Sequence, residues 1–406
     1  MANLSFERKR KIQIYLLAAL VILCCLILVA CNSDNSYSVA GDTVSEPTHF
    51  MAKFMLLINN SMGGGTVSFG WTVVVFTIIL RLILSPLDIW QKIIGRKNSK
   101  AMERMKPQLE ALQAKYGDDK QRMQQEQMAL YKKEKYSMMG MCLPTIITLV
   151  VFFVVFAGFR QMVGYQFAQD YKNSQKVYET SLSVQIEEKY GDLNEDGVID
   201  LDDIVKDEKG AAFYTEAVKN AQSEVYDAYY SSEQQGVRSW LWIKNIFVGD
   251  NWSKAVPDFV TVTGQSGFAN SRLAGITIDE YNAVMGKVLG TGGYGKGGSW
   301  NGLLILPVLS IVLSFVSQKL MSKSQGQPPV PAGDKNGSAN ASQQSMKMMQ
   351  WLMPIMMGVF GLLYSGAFAL YMFTSSFVAI LFQLLFNVVG KIVDNARAKQ
   401  PKVAKR

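Results

Sequence analysis

Residues 71–90, WTVVVFTIILRLILSPLDIW, constrain this chain more than any other stretch. As a helix they rise about 30 Å, the thickness of a bilayer's hydrocarbon core. Both ends carry tryptophan, which favours the membrane–water boundary. Near the middle stands one cation, Arg81. An arginine at the centre of a spanning helix costs about 2.5–3.5 kcal/mol on insertion scales, so its presence needs a reason. Thr77, Arg81, Ser85 and Asp88 fall at i, i+4, i+8 and i+11 and share one face. Val, Ile, Leu and Phe cover the others. The spacing predicts a helix with lipid around most of its circumference and a polar seam turned toward something else. By helical rise Asp88 lies about 10 Å from Arg81 along the axis, which predicts no direct neutralisation within the helix.

Composition sets the class. Of 406 residues 49% are hydrophobic, and the formal charge is +8, a profile that fits a membrane protein with polar loops. No basic aromatic patch or nucleic-acid motif is present, so nucleic acid is not expected as a substrate. The single histidine, His49, leaves no His-based triad or zinc cluster to build, and no phosphate-binding glycine motif occurs. Enzymatic chemistry and a required cofactor are not expected. Three of the four cysteines, Cys24, Cys25 and Cys31, lie in the first apolar segment and Cys142 opens another, which argues against a disulfide scaffold.

Residues 1–31 read as a signal or anchor. Arg8, Lys9, Arg10 and Lys11 precede an apolar run that ends in Leu28-Val29-Ala30-Cys31 and turns abruptly polar. One reading is a lipoprotein signal with Cys31 lipidated at the new N-terminus. The other is an uncleaved anchor helix. Both put the segment 32–65 outside the cytoplasm, with glycines 63–65 as a hinge into the first core span, 66–91.

The segment 92–137 is strongly basic: from Lys92 to Tyr136, 12 Lys/Arg stand against 6 Asp/Glu. By the positive-inside rule it belongs in the cytoplasm. It reads as a helical hairpin, the first arm ending near Lys115 and a glycine–aspartate turn at 116–119 starting the second. Met102, Met105, Leu109 and Leu112 recur at helical spacing, as a thin apolar seam or as a docking surface. A second span follows at 138–165, with Pro144 near its start and Thr145 and Thr148 on one side.

The long loop 166–299 carries 20 Asp/Glu and 12 Lys/Arg, opposite in sign to the hairpin, and is expected outside. Its part from Asp170 to Tyr230 reads as polar helix, and Trp240, Trp242 and Phe247 are expected at the outer interface. A third span, 300–321, has Ser310, Ser314 and Ser317 along one face. After a Pro/Gly/Ser-rich tether, 322–345, come spans 346–364 and 365–390, the last bearing Ser376, Gln383 and Asn387. The tail 391–406 is basic and expected in the cytoplasm. The predicted fold is thus an all-α integral membrane protein: five core transmembrane helices, a cytoplasmic helical hairpin and an enlarged external loop.

Several of these motifs occur in one order: GWTVVVFTIILRLILSPL, then MKPQLEALQAKYGDDKQRMQQEQMALYKKEK, MMGMCLP, WLWIKNIF, WNGLLILPVLSIVLSFVSQKLM and SMKMMQWLMPIMMGVFGLLYSGAFALYMFTSS. Together they resemble the YidC family of bacterial membrane-protein insertases over about two-thirds of the chain. Thr148 and Val150 stand where that family often has glutamine and proline, and Tyr364 stands where proline commonly precedes Ser365-Gly366. The resemblance implies an insertase in the bacterial cell membrane, acting alone or beside the Sec translocon. Its expected partners are nascent membrane proteins, lipid and the ribosome. The expected substrate groove is Arg81 with Thr77, Ser85, Thr145 and Thr148. The physical logic agrees: a cytoplasm-open groove shortens the path of polar groups across hydrocarbon, and a cation in it attracts acidic client residues. A secondary transporter for an anionic solute is the first rival, opposed by unequal spans without an internal repeat. A lipoprotein receptor or scaffold is the second.

The long loop contains one further pattern. Asp192, Asn194 and Asp196 occupy calcium-loop positions 1, 3 and 5, and Gly197 position 6. The Val198 carbonyl falls at 7, Asp200 at 9 and Asp203 at 12. Aspartate at the last position resembles dockerin calcium loops more than EF-hands. The alternative is a solvated acidic turn. A structural calcium ion is expected there, with no catalytic role.

Overall fold

The computed structural model describes residues 36–39, 41, 43–116, 119–136, 139–191, 204–250, 252, 255–264, 272–290, 300–325, 355 and 358–398. Cys31, the calcium-loop residues 192–203, most of the tether, most of the span expected at 346–364 and the end of the basic tail lie outside them.

The described chain is mostly helical. In order it forms β1 (Ser36–Ser38), α1 (Phe50–Ser61), α2 (Phe69–Tyr116), α3 (Lys120–Lys133), α4 (Met139–Tyr190), α5 (Glu208–Tyr229), α6 (Ser232–Arg238), α7 (Phe259–Val262), β2 (Arg272–Ala274), α8 (Ile278–Leu289), α9 (Ile305–Gln325) and α10 (Gly366–Ala398). Among the described residues three helical stretches are long and apolar enough to cross a membrane: Phe69–Tyr116, Ile147–Tyr190 and Gly366–Gly390. A shorter apolar helix covers Ile305–Leu320. This is a multi-pass membrane protein.

Two helices run further than a simple span. α2 carries the arginine span and the first arm of the hairpin as one helix, although Pro86 and Pro107 lie inside it. α4 likewise continues far past its apolar part, to Tyr190. One element departs from the all-α expectation. β1 and β2 pair in parallel, Tyr37 opposite Leu273, as a two-stranded sheet. Three residues on each side are too short to announce a strand in the sequence.

The chain divides into two compact units. The first comprises residues 1–73, 152–305 and 362–369. Its entry point is the break between α1 and α2, where Gly63 and Gly64 take φ of 109° and 59°, a left-handed conformation that glycine adopts without steric cost. His49 caps α1 through its ring, and its backbone N–H donates to Gln161 of α4 at 2.6 Å. The interior is aromatic: Phe152, Phe156 and Phe159 of α4 pack on Phe368, with ring centroids 5.2–5.7 Å apart. Edge-on pairs of this kind add about 0.5–1.5 kcal/mol beyond their buried area. Of the loop aromatics expected at the outer interface, Trp240 and Phe247 are enclosed by protein and Trp242 is half-buried. Trp240 lies edge-on to Trp71 and fills the space above Gly70, where any Cβ would collide with its ring. Asn301 fastens the same loop by donating to the carbonyls of Asn245 and Gly249 at 2.8 and 3.0 Å. In the loop between α4 and α9, α5 and α8 pack together, and Tyr281 of α8 donates to the Pro257 carbonyl at 2.8 Å.

The second unit comprises residues 74–151, 306–361 and 370–406. The hairpin lies in it. Met102 and Met105 of α2 pack against Leu130 and Tyr131 of α3, with Tyr136 closing the cluster and Leu109 and Leu112 beside it. The methionine spacing is therefore a seam between the two arms. Asp119 caps α3 by accepting from the Arg122 N–H, and Arg104 pairs with Glu134 across the arms at 3.1 Å. Burial and the neighbouring Tyr131 push the Tyr136 hydroxyl up to about 12. In the apolar part, Ser314 of α9 and Ser376 of α10 share a hydrogen bond of 3.0 Å.

Candidate functional site

The polar face of α2 lies in the second unit. Thr77 is fully buried, whereas Arg81, Ser85 and Asp88 are half-buried. On the same helix Leu82, Ile83, Ile89 and Trp90 are exposed, the pattern a lipid-facing surface requires.

Arg81 is held from two directions. Its Nε and Nη2 both donate to Oγ of Ser375 on α10, at 2.9 and 2.5 Å. Its Nη1 stands 3.8 Å from Oδ2 of Asp88, with the two side chains 20% and 21% exposed. This corrects the expectation that Asp88 is too distant. Seven residues are close to two turns, so the side chains align, and the arginine stem covers most of the axial rise between them. The cation is thus partnered, yet still open to an approaching group.

The face extends beyond the residues expected to form it. Lys92 follows Asp88 by one turn, is only 7% exposed, and sets its ammonium 5.6 Å over the ring of Phe386 on α10. Arg96 comes one turn later. Its guanidinium lies 4.3 Å over the same ring, donates to the Phe386 carbonyl at 3.2 Å, and occupies the space that a side chain at position 390 would need. A larger residue at position 390 would have to displace the Arg96 guanidinium from this position. Arg81, Asp88, Lys92 and Arg96 make one stripe, at i, i+7, i+11 and i+15.

The remaining groove residues of the sequence reading fare unequally. Ser85 turns its hydroxyl back to the Leu82 carbonyl of its own helix at 2.7 Å, so it offers less polarity than its position suggests. Thr148 is half-buried on α4. The Thr145 side chain lies outside the described ones. Ser375 was not among the expected residues, which named its neighbour Ser376. A serine pair inside an apolar helix was the available signal, and only packing separates their roles. No cluster of His, Cys, Asp or Glu able to hold a metal occurs among the described residues, and the calcium-loop residues 192–203 lie outside them.

A profile of the family described as 60Kd inner membrane protein matches residues 59–200 and 212–392, most of the chain and every apolar helix above. The chain belongs to the YidC family. It is 40% identical over 89 residues to the membrane protein insertase YidC of Stenotrophomonas maltophilia, which is 22% of this chain and 15% of that protein. Against the insertase of the same name from Xanthomonas campestris pv. campestris it is 42% identical over 89 residues, again 22% and 15% of the two chains. Against that of Ectopseudomonas mendocina it is 35% identical over 107 residues, 26% and 18% of the two. The matched stretches thus span less than a fifth of each relative. In this YidC-family chain, the arginine stripe falls within the matched residues 59–200.

Proposed function

We propose that this protein is a membrane-protein insertase. It moves transmembrane segments of nascent client proteins from the cytoplasm into the bilayer through a polar groove containing Arg81. The observation that carries this reading is the placement of Arg81: a cation within an apolar span, hydrogen-bonded to Ser375, yet one-fifth exposed. Ser375 and Asp88 hold the guanidinium without sealing it, since its side chain stays 20% exposed. A cation left reachable can attract an acidic residue of an incoming segment in surroundings less polar than water, where the attraction is stronger. The apolar part of the client then passes sideways into lipid, driven by burial of its own surface. No nucleotide is needed. Membership of the family and the relatives' printed name as insertases support the same reading.

In this proposal the hairpin of α2 and α3 and the basic tail lie in the cytoplasm, the loop 166–299 lies outside, and the protein acts alone or beside the Sec translocon, close to the ribosome. The charge contrast between hairpin and loop supports that orientation. Cys31 is lipidated and becomes the mature N-terminus. Mass spectrometry of the purified protein tests that point, since an intact peptide containing Met1 to Arg10 refutes cleavage.

The test of function is depletion of the protein while a single-span, short-tailed membrane protein is followed, with complementation by wild type, Arg81→Ala and Arg81→Lys. Insertion is expected to fall on depletion, to stay low with Arg81→Ala for a client with an acidic translocated tail, and to recover in part with Arg81→Lys. Unchanged insertion after depletion refutes the insertase reading. Full rescue of acidic clients by Arg81→Ala reduces Arg81 to a structural role.

A further inference from the structure

Arg81 does not wait bare for a client. Its three nitrogens are all engaged, two by Ser375 and the third by Asp88. The two partners differ in kind. Ser375 is a neutral acceptor within hydrogen-bond reach, 2.9 Å from Nε. Asp88 carries a charge of the sign a client would bring, and at 3.8 Å it stands well beyond the 2.7–2.9 Å of a charge-assisted hydrogen bond. The ion pair is therefore the weaker hold and the one a second carboxylate can replace.

We infer that Asp88 is a specificity-determining residue: an internal counter-ion that occupies Arg81 at rest and that a client's acidic residue must displace. The inference rests on the insertase reading above. The exchange conserves charge. A client carboxylate takes the place of Oδ2 at Arg81 Nη1, and the freed Asp88 carboxylate turns to Lys92, one helical turn further along the same stripe. Lys92 is nearly enclosed, with its ammonium beside the Phe386 ring, and already lies within the electrostatic reach of Asp88, so it can take over the carboxylate that leaves Arg81. Both carboxylates then stay paired, and no charge is left alone in a poorly polar site, where an unpaired ion is most costly. Segments without an acidic residue gain nothing at Arg81 and enter by apolar partition alone. Asp88 thereby sets how strongly the protein favours acidic over neutral tails.

The experiment uses the full-length protein in proteoliposomes and two single-span clients identical except that two aspartates in the translocated tail of one are asparagines in the other. The readout is the ratio of acidic-tail to neutral-tail insertion. With Asp88→Asn the ratio is expected to rise about two- to fivefold, the range that partly exposed ion pairs support. Asp88→Glu, which retains a carboxylate, returns it toward the wild-type value. Lys92→Met removes the refuge for Asp88 and is expected to lower the ratio, so the inference stays exposed to refutation even if Asp88→Asn fails to fold. A folded Asp88→Asn protein with an unchanged ratio, or with both clients reduced equally, overturns the inference and makes Asp88 a purely structural partner of Arg81. Wild-type protein that inserts neither client overturns the insertase reading along with it.

Discussion

Arg238, the last residue of α6, sets Nη1 3.4 Å from Oδ2 of Asp170 on α4, with only 4% and 8% of the two side chains exposed. The same guanidinium donates to the Tyr229 carbonyl and lies 3.7 Å over the Tyr229 ring. The pair fastens the part of α4 beyond its apolar stretch to the helices that follow. Buried ion pairs are costly to break from one side, because the remaining charge is stranded. Asp170→Ala is expected to lower the unfolding free energy by about 3–5 kcal/mol. The double substitution Asp170→Leu with Arg238→Met should recover much of that loss. Denaturant unfolding measures both, and a loss of under about 1 kcal/mol from Asp170→Ala would show the pair to be solvated.

The N-terminus of α8 predicts a response to acid. Glu280 accepts from the Thr277 N–H at 2.8 Å and from its hydroxyl at 2.9 Å, while the Glu280 N–H donates back to the hydroxyl at 3.2 Å. The Thr277 N–H first, and its hydroxyl second, hold the Glu280 carboxyl below its ordinary value. A depressed carboxyl contributes stability that is present above its unfolded value, about 4.3, and lost as pH falls through the lower folded value. Thermal unfolding followed from pH 6 downward should show wild type losing stability over that window. Glu280→Ala is expected to be less stable near neutrality and to lose less on acidification. Parallel curves for the two proteins would exclude the cap as the cause.

The hairpin is expected to act in insertion rather than merely to connect spans. Met105 is fully buried at its centre, and Arg104 and Glu134 bridge its arms. Deleting residues 107–129 should leave the apolar helices in the membrane and reduce client insertion several-fold at equal protein level. Undiminished insertion by a stably expressed deletion makes the hairpin a passive connector. Within the intact chain, Met105→Ala should destabilise the hairpin by about 2–5 kcal/mol, the usual range for emptying a buried methionine site. Amide exchange in α3 reports it.

Calcium binding by residues 192–203 is a fourth prediction. The segment lies between α4, which ends at Tyr190, and α5, which begins at Glu208, so a helix flanks it on each side. A single loop with this ligand pattern is expected to bind in the range of about 10⁻⁴–10⁻³ M. Calorimetry on the full-length protein should show calcium heat at millimolar metal, abolished by Asp192→Asn with Asp196→Asn. Absence of that heat, or its persistence in the double variant, leaves an acidic turn.

The sequence by itself determined the class of this protein and the place of one cation, Arg81, within an apolar span. Apolar periodicity, tryptophan placement and charge asymmetry are local properties, set by one helix against lipid or water. For that reason the Arg81 span and the hairpin arms could be read without coordinates. What surrounds Arg81 depends on a residue 294 positions away: Ser375 and Ser376 are indistinguishable in a sequence, and packing decides which hydroxyl faces the guanidinium. The Arg81–Asp88 pair was within reach of the sequence but misjudged, because rise per residue measures the backbone and not the extent of a long side chain. The pairing of Ser36–Ser38 with Arg272–Ala274, and the clasp of Arg96 on Phe386 and Gly390, join segments that no local pattern relates. Tertiary structure alone decided these, since each exists only where two distant backbones come close enough for their side chains to meet.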